Sequence, residues 1–181
     1  MYNTHSLSIH NLKPMKLDIK SLAILAIVVA AIVLVVTFGL KDGNKIPAGL
    51  TLTKSDGATL NLDSLQGKPY LLEFWSTTCP GCVKEIPHLI AVQQTFKSQG
   101  FEIVSVAMSY DKLDEVQAMQ QAKGMNYIVG YDQSGALAQQ FNVRVTPTSF
   151  LVDANGKIVT QKMGEWQPGE LEQKLQTLVK G

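Results

Sequence analysis

Only two cysteines and three histidines occur in the 181 residues of this chain. His5 and His10 precede a long apolar run, so His88 is the sole imidazole near the thiols, and a zinc site that wants four ligands, or three and a water, finds a poor set here. Neither sign of charge is in excess. Sixteen basic against fifteen acidic residues give a formal net charge of +1, which carries no nucleic-acid footprint. No internal repeat and no low-complexity tract interrupts the chain after its N-terminal third.

What stands out at the front is Leu22 to Leu40, "LAILAIVVAAIVLVVTFGL", 19 residues without a charge. As a helix this run would extend roughly 28 Å, close to the hydrocarbon thickness of a bilayer. A cleavable signal is the rival reading, but its apolar region is usually about 7 to 15 residues long. The one candidate cleavage site, Val29-Ala30-Ala31, lies inside the run. No cysteine stands directly behind the run to take a lipid. The expectation is an uncleaved transmembrane signal-anchor over residues 22–40, behind a polar cytoplasmic tail, 1–21. Lys13, Lys16 and Lys20 precede the run and Lys41, Lys45 and Lys54 follow it, so the basic residues do not orient it. The orientation rests on the short basic stretch ahead of a first apolar segment and on the ease with which long C-terminal domains translocate.

Residues 41–47 read as a linker and 46–181 as one folded domain. "LTLTKSDGATLNL" carries two alternating runs around Asp56-Gly57, a hairpin signal. "PYLLEFW" and "FEIVSVAM" are short apolar runs with the length of buried strands, and "YIVGYD" is a third. Helices are expected from Pro80 to about Gln99, with a kink at Pro87, over "DKLDEVQAMQQAKG" to Gly124, and from Ser134 to Phe141. A hairpin turned at Asn155-Gly156 and a last helix opening at Pro168 close the chain. Strands alternating with helices and then a terminal hairpin argue for an α/β domain with a mixed central sheet.

The two cysteines form Cys79-Pro80-Gly81-Cys82 at the junction of a buried strand and a helix. A thiolate at a helix N-terminus meets unpaired N–H groups and the positive end of the dipole, so Cys79 is the expected nucleophile. Cys82, one turn further along the same side, is placed to resolve a mixed disulfide on Cys79. Other readings stand beside this one. A structural disulfide over two intervening residues would constrain little of the unfolded chain. A peroxidatic cysteine usually has a threonine three residues ahead, where Ser76 stands, and a copper-handling module would use the pair as soft ligands. Glu73 interrupts the apolar strand, and a carboxylate desolvated there holds its proton near neutral pH, as a base for Cys82 requires. Glu85 follows Cys82 by three residues and shares its helical face. Arg144 reads as a surface charge.

"FWSTTCPGCVKEIP" followed by "VRVTPTSFLVDANGKIV" resembles the membrane-tethered thioredoxin-like proteins of the TlpA/ResA/DsbE type, over roughly residues 46–181. The resemblance implies a thioredoxin fold, helices flanking the mixed sheet, and thiol–disulfide exchange on the outer face of a bacterial cytoplasmic membrane. It implies that Glu73 relays a proton, that Glu85 matches the acid of a CxxCxxE pattern, and that Trp75 and Pro80 shape the surface around the thiols. It further implies a cis Pro147 facing the pair, with Thr146 offering backbone groups to an extended client strand. Electrons would pass through the Cys79–Cys82 disulfide itself, with no bound cofactor and no metal. The partners would be protein thiol or disulfide clients, such as apocytochrome c, and a membrane redox protein of the DsbD/CcdA kind. One departure matters: the intervening dipeptide is Pro-Gly where thioredoxin has Gly-Pro, and since that dipeptide tunes the potential, both reductase and oxidase directions stay open.

Overall fold

The computed structural model describes residues 18–39, with side chains as far as 35, and residues 44–179. Most of the expected tail, the last residue of the expected span and the start of the linker, residues 1–17 and 40–43, lie outside the described residues, as do 180 and 181. The chain divides into two compact units, one ending at Gly43 and the other beginning at Asn44. The first holds helix α1, Ile19–Gly39, 21 residues that take in the apolar run as far as Gly39, with Ile24, Ile27 and Val35 exposed. Among the described residues no helix is long and apolar enough to cross a membrane. The described side chains of α1 end at Val35, short of Leu40 where the apolar run ends.

The second unit is a seven-stranded mixed sheet in the order β2-β1-β5-β4-β3-β6-β7. Its strands are β1 (Thr51–Lys54), β2 (Thr59–Asn61), β3 (Tyr70–Trp75), β4 (Glu102–Ala107), β5 (Ile128–Tyr131), β6 (Thr148–Val152) and β7 (Ile158–Met163). The strands β3, β4 and β5 run parallel, joined by α2 (Pro80–Phe96) and α3 (Leu113–Lys123). Both crossovers step in the same direction along the sheet, so the right-handed rule puts both helices on one face. The chain then passes through α4 (Ala136–Gln140), returns antiparallel as β6 beside β3, turns into β7, and ends in α5 (Glu170–Leu178).

Every residue of β3 is buried, which fits a central strand with helices on both sides. Alternate side chains feed two cores. Leu71 and Trp75 join Cys82, Ile86, Leu89, Val92 and Phe96 of α2 and Leu171 and Leu175 of α5. Tyr70, Leu72 and Phe74 face Leu62, Leu65, Leu137 and Phe141 on the other side. There the rings of Phe74, Phe141 and Phe150 meet with centroids 5.0 to 6.1 Å apart. Glu73 has the parity of Leu71 and Trp75, so it points into the core beneath α2.

The expected elements form, with differences at their ends. The α-helix over 80–99 gives way to a 3₁₀ turn at Lys97–Gln99, and it continues through Pro87 without a break. The short helix covers only Ala136–Gln140 of the expected 134–141. The last helix starts at Glu170 because Gly169, at φ 78°, takes a left-handed turn that leaves Pro168 outside.

Candidate active site

β3 ends at Trp75, and the loop Ser76–Thr78 delivers Cys79 to the N-cap of α2. Proline suits the first helical position because its missing N–H has no partner there in any case. Cys79 and Cys82 are joined as a disulfide with their Cα atoms 5.3 Å apart. Their surroundings differ: Cys79 is half-buried, whereas Cys82 is 1% exposed. The Cys82 backbone N–H donates to Cys79 Sγ at 3.2 Å, the contact that would hold a thiolate at the helix terminus. Cys79 Sγ also stands 3.4 Å from the carbonyl oxygen of Thr146. The Thr146–Pro147 peptide bond is cis, Pro147 is buried, and its carbonyl accepts from the N–H of Gly164 at 2.8 Å. The strand opening at Thr148 therefore faces the cysteines with a half-buried Thr146 beside the more accessible sulfur.

Behind the pair lie two buried acids. Glu73 is 2% exposed, and its Oε2 accepts from Ser105 Oγ at 3.0 Å, the residue directly across on β4. Burial, reinforced by the charge of Glu85, pushes its pKa up to about 8, with the Ser105 bond pulling the other way. Glu85 is 4% exposed. It is no solvated helix charge: its Oε1 accepts the Trp166 backbone N–H at 2.7 Å, tying α2 to the segment after β7. Burial raises its pKa above the ordinary carboxyl range, against the Trp166 bond and the nearby His88. The His88 ring pairs with Glu172 of α5 at 2.8 Å. Burial and both carboxylates hold the Tyr127 phenol in its protonated form.

Trp75 is 1% exposed and sits in the core beneath the cysteines, so it presents no ring at the surface and supports the pair from below. Pro80 is exposed beside Cys79, and Arg144 is an exposed side chain bonded to Asn142. Asp111, in the turn after β4, escapes sequence reasoning altogether. Buried, it accepts from Ser76 Oγ at 2.8 Å, from Thr77 N–H at 3.0 Å and from Thr77 Oγ1 at 3.0 Å, pinning the loop that carries Cys79. A lone aspartate some 35 residues from its partners leaves no local signal. The Ser76 hydroxyl is thereby taken up by Asp111 and Thr78. Among the described residues no three or more His, Cys, Asp or Glu side chains gather to hold a metal ion.

The redoxin family model matches residues 41–178. The chain belongs to the redoxin family, and within it to the TlpA/ResA/DsbE type. This redoxin is 33% identical over 131 residues to the thiol-disulfide oxidoreductase ResA of Bacillus anthracis, covering 72% of this chain and 74% of that one. The ResA of Bacillus subtilis strain 168 matches at 33% over 120 residues, 66% of each chain. Among solved structures, a thiol:disulfide interchange protein of the thioredoxin family from Chlorobium tepidum TLS superposes with a TM-score of 0.68 at 29% identity, over 76% of this chain and 99% of that one. A secreted Mycobacterium tuberculosis disulfide oxidoreductase homologous to E. coli DsbE gives 0.65 at 26%, over 72% and 96%. The domain is thus a thioredoxin-like α/β fold and the protein a thiol:disulfide oxidoreductase that acts on protein thiols, with Cys79 and Cys82 as its cysteine pair.

Proposed function

We propose that this redoxin reduces disulfides in exported proteins, among them the haem-attachment cysteines of apocytochrome c, from the outer face of a bacterial cytoplasmic membrane. The observation that carries the direction is the burial of Cys82 on the side of the sheet that also holds the buried acids Glu73 and Glu85. A stabilised thiolate favours the dithiol and makes an oxidant, whereas a desolvated site lined by acids gives a thiolate no counter-charge and makes the dithiol a better donor.

In the forward reaction the Cys79 thiolate attacks one sulfur of a client disulfide. A Cys79–client disulfide forms, and the other client sulfur leaves as a thiolate and takes a proton. The Thr146 backbone lies beside Cys79 Sγ, where an extended client strand could pair. Cys82 then gives its proton to the ionised minority form of Glu73, a share that grows as pH rises toward about 8, and attacks Cys79 Sγ, releasing the second client thiolate. Two electrons have moved to the client, and the domain is left with the Cys79–Cys82 disulfide seen in the structure. The electrons travel through the cysteines alone, so no bound cofactor is required. A membrane redox protein of the DsbD/CcdA kind would supply the two electrons that restore the dithiol. The 19 uncharged residues from Leu22 to Leu40 in the sequence support an anchored arrangement, with residues 22–40 as the span.

Trapping tests this reading. In cells producing Cys82→Ala, clients should accumulate as mixed disulfides on Cys79, and exported proteins with disulfides awaiting reduction should dominate. Capture of newly exported proteins awaiting oxidation would reverse the direction.

A further inference from the structure

Gly81 departs from thioredoxin's Gly-Pro order, and the structure gives that glycine a neighbour. A Cβ built on it would stand 3.0 Å from Oε1 of Glu165 and 3.5 Å from both its Cδ and Cγ. Gly81 is helical and is absent from the glycines with positive φ, so its backbone makes no demand for glycine. The missing side chain provides space, and the space is filled by the Glu165 carboxylate against the first turn of α2. Lys84, three residues on from Gly81, holds it there through Nζ at 2.9 Å. The Lys84 side chain is 76% exposed, so this bridge sits in water and cancels only part of the carboxylate's charge. The other charges near this end are Glu85 and His88 on α2, the latter paired with Glu172, and Lys162, whose Nζ is bonded to Glu170.

The first turn of α2 is also where the Cys79 thiolate gains its stabilisation, from unpaired N–H groups and the helix dipole. Two anions there repel each other. We propose that Glu165 is a positioning residue that sets the redox potential: seated over Gly81, its carboxylate disfavours the Cys79 thiolate and drives the pair toward the disulfide. This deepens the reductase reading and rests on it for its biological sense, since it makes the dithiol a stronger donor.

The test equilibrates the full-length chain in detergent with glutathione, where the dithiol and one oxidised glutathione exchange two electrons and two protons to give the Cys79–Cys82 disulfide and two reduced glutathiones. Glu165→Gln should shift the equilibrium constant toward the dithiol roughly two- to fivefold. In a Cys82→Ala background it should move the Cys79 thiolate absorbance to lower pH. Gly81→Ala, which displaces the carboxylate, should shift both readouts the same way and add nothing once Glu165 is Gln. Added salt should narrow the gap between wild type and Glu165→Gln. An unchanged equilibrium and titration in Glu165→Gln would overturn the proposal, as would a Gly81→Ala effect that persists without the carboxylate. A wild-type pair that proves oxidising, with the Glu165 effect intact, removes the reductase reading and leaves this one standing.

Discussion

Glu73 is a carboxyl group in a place where a charge is costly, and that fixes two expectations. Its folded-state pKa, about 8, lies above its ordinary value of 4.5. The folded state therefore prefers the protonated form: the stabilising contribution is full below the ordinary carboxyl value and is lost as pH rises through about 8. Chemical denaturation at pH 5 and pH 9 should show wild type losing on the order of a few kcal/mol relative to Glu73→Gln, which has no proton to release. A parallel response of the two proteins would place Glu73 in contact with solvent. In catalysis, Glu73→Gln should slow release of the mixed disulfide by on the order of a hundredfold near neutral pH while the first attack proceeds nearly unchanged. Rapid-mixing kinetics on the separate steps decides it, since equal slowing of both would indicate a structural role. Glu73 was legible in the sequence because a lone carboxylate broke an apolar strand. Asp111 and Glu165 were not, because what defines them is a neighbour far along the chain: Thr77 for one, Gly81 for the other.

At the level of elements, helix starts and strands could be read from Pro80, the Gly124 end and the apolar runs, because those signals are local. Strand order could not. That β1 docks antiparallel on β5 depends on Gly130, where a Cβ would overlap Leu52 Cδ1 in β1. Gly130→Ala should therefore unseat the β1–β2 hairpin and cost about 1–3 kcal/mol, read as a lower denaturant midpoint with increased amide exchange in residues 51–61. The junction between β3 and α2 depends likewise on one carboxylate. Asp111→Ala leaves Thr77 N–H and Oγ1 without their acceptor and should cost about 1–3 kcal/mol, with Thr77→Val losing a smaller part of the same amount. If the two substitutions add fully in a double-mutant cycle, the pinning of this loop by Asp111 is refuted.

At the scale of the whole molecule, a redoxin domain follows an apolar helix, and the two belong to separate compact units. If the helix anchors the domain outside the cytoplasm, a reporter fused after Gly181 that works only there should be active, and full-length protein should stay in the membrane fraction. Soluble, shortened protein would show cleavage within the run. The fold and the cysteine pair could be read from the sequence because motif and strand pattern agreed. The direction of exchange could not, because it depends on what the fold places around the pair: the buried acids Glu73 and Glu85 behind it, the Glu165 carboxylate over its dipeptide. The most direct measurement is therefore the redox potential of the Cys79–Cys82 couple, by equilibration of the full-length protein with glutathione. A value near that of thioredoxin, about −270 mV, is the predicted result, and a value near that of DsbA, about −120 mV, would contradict the account.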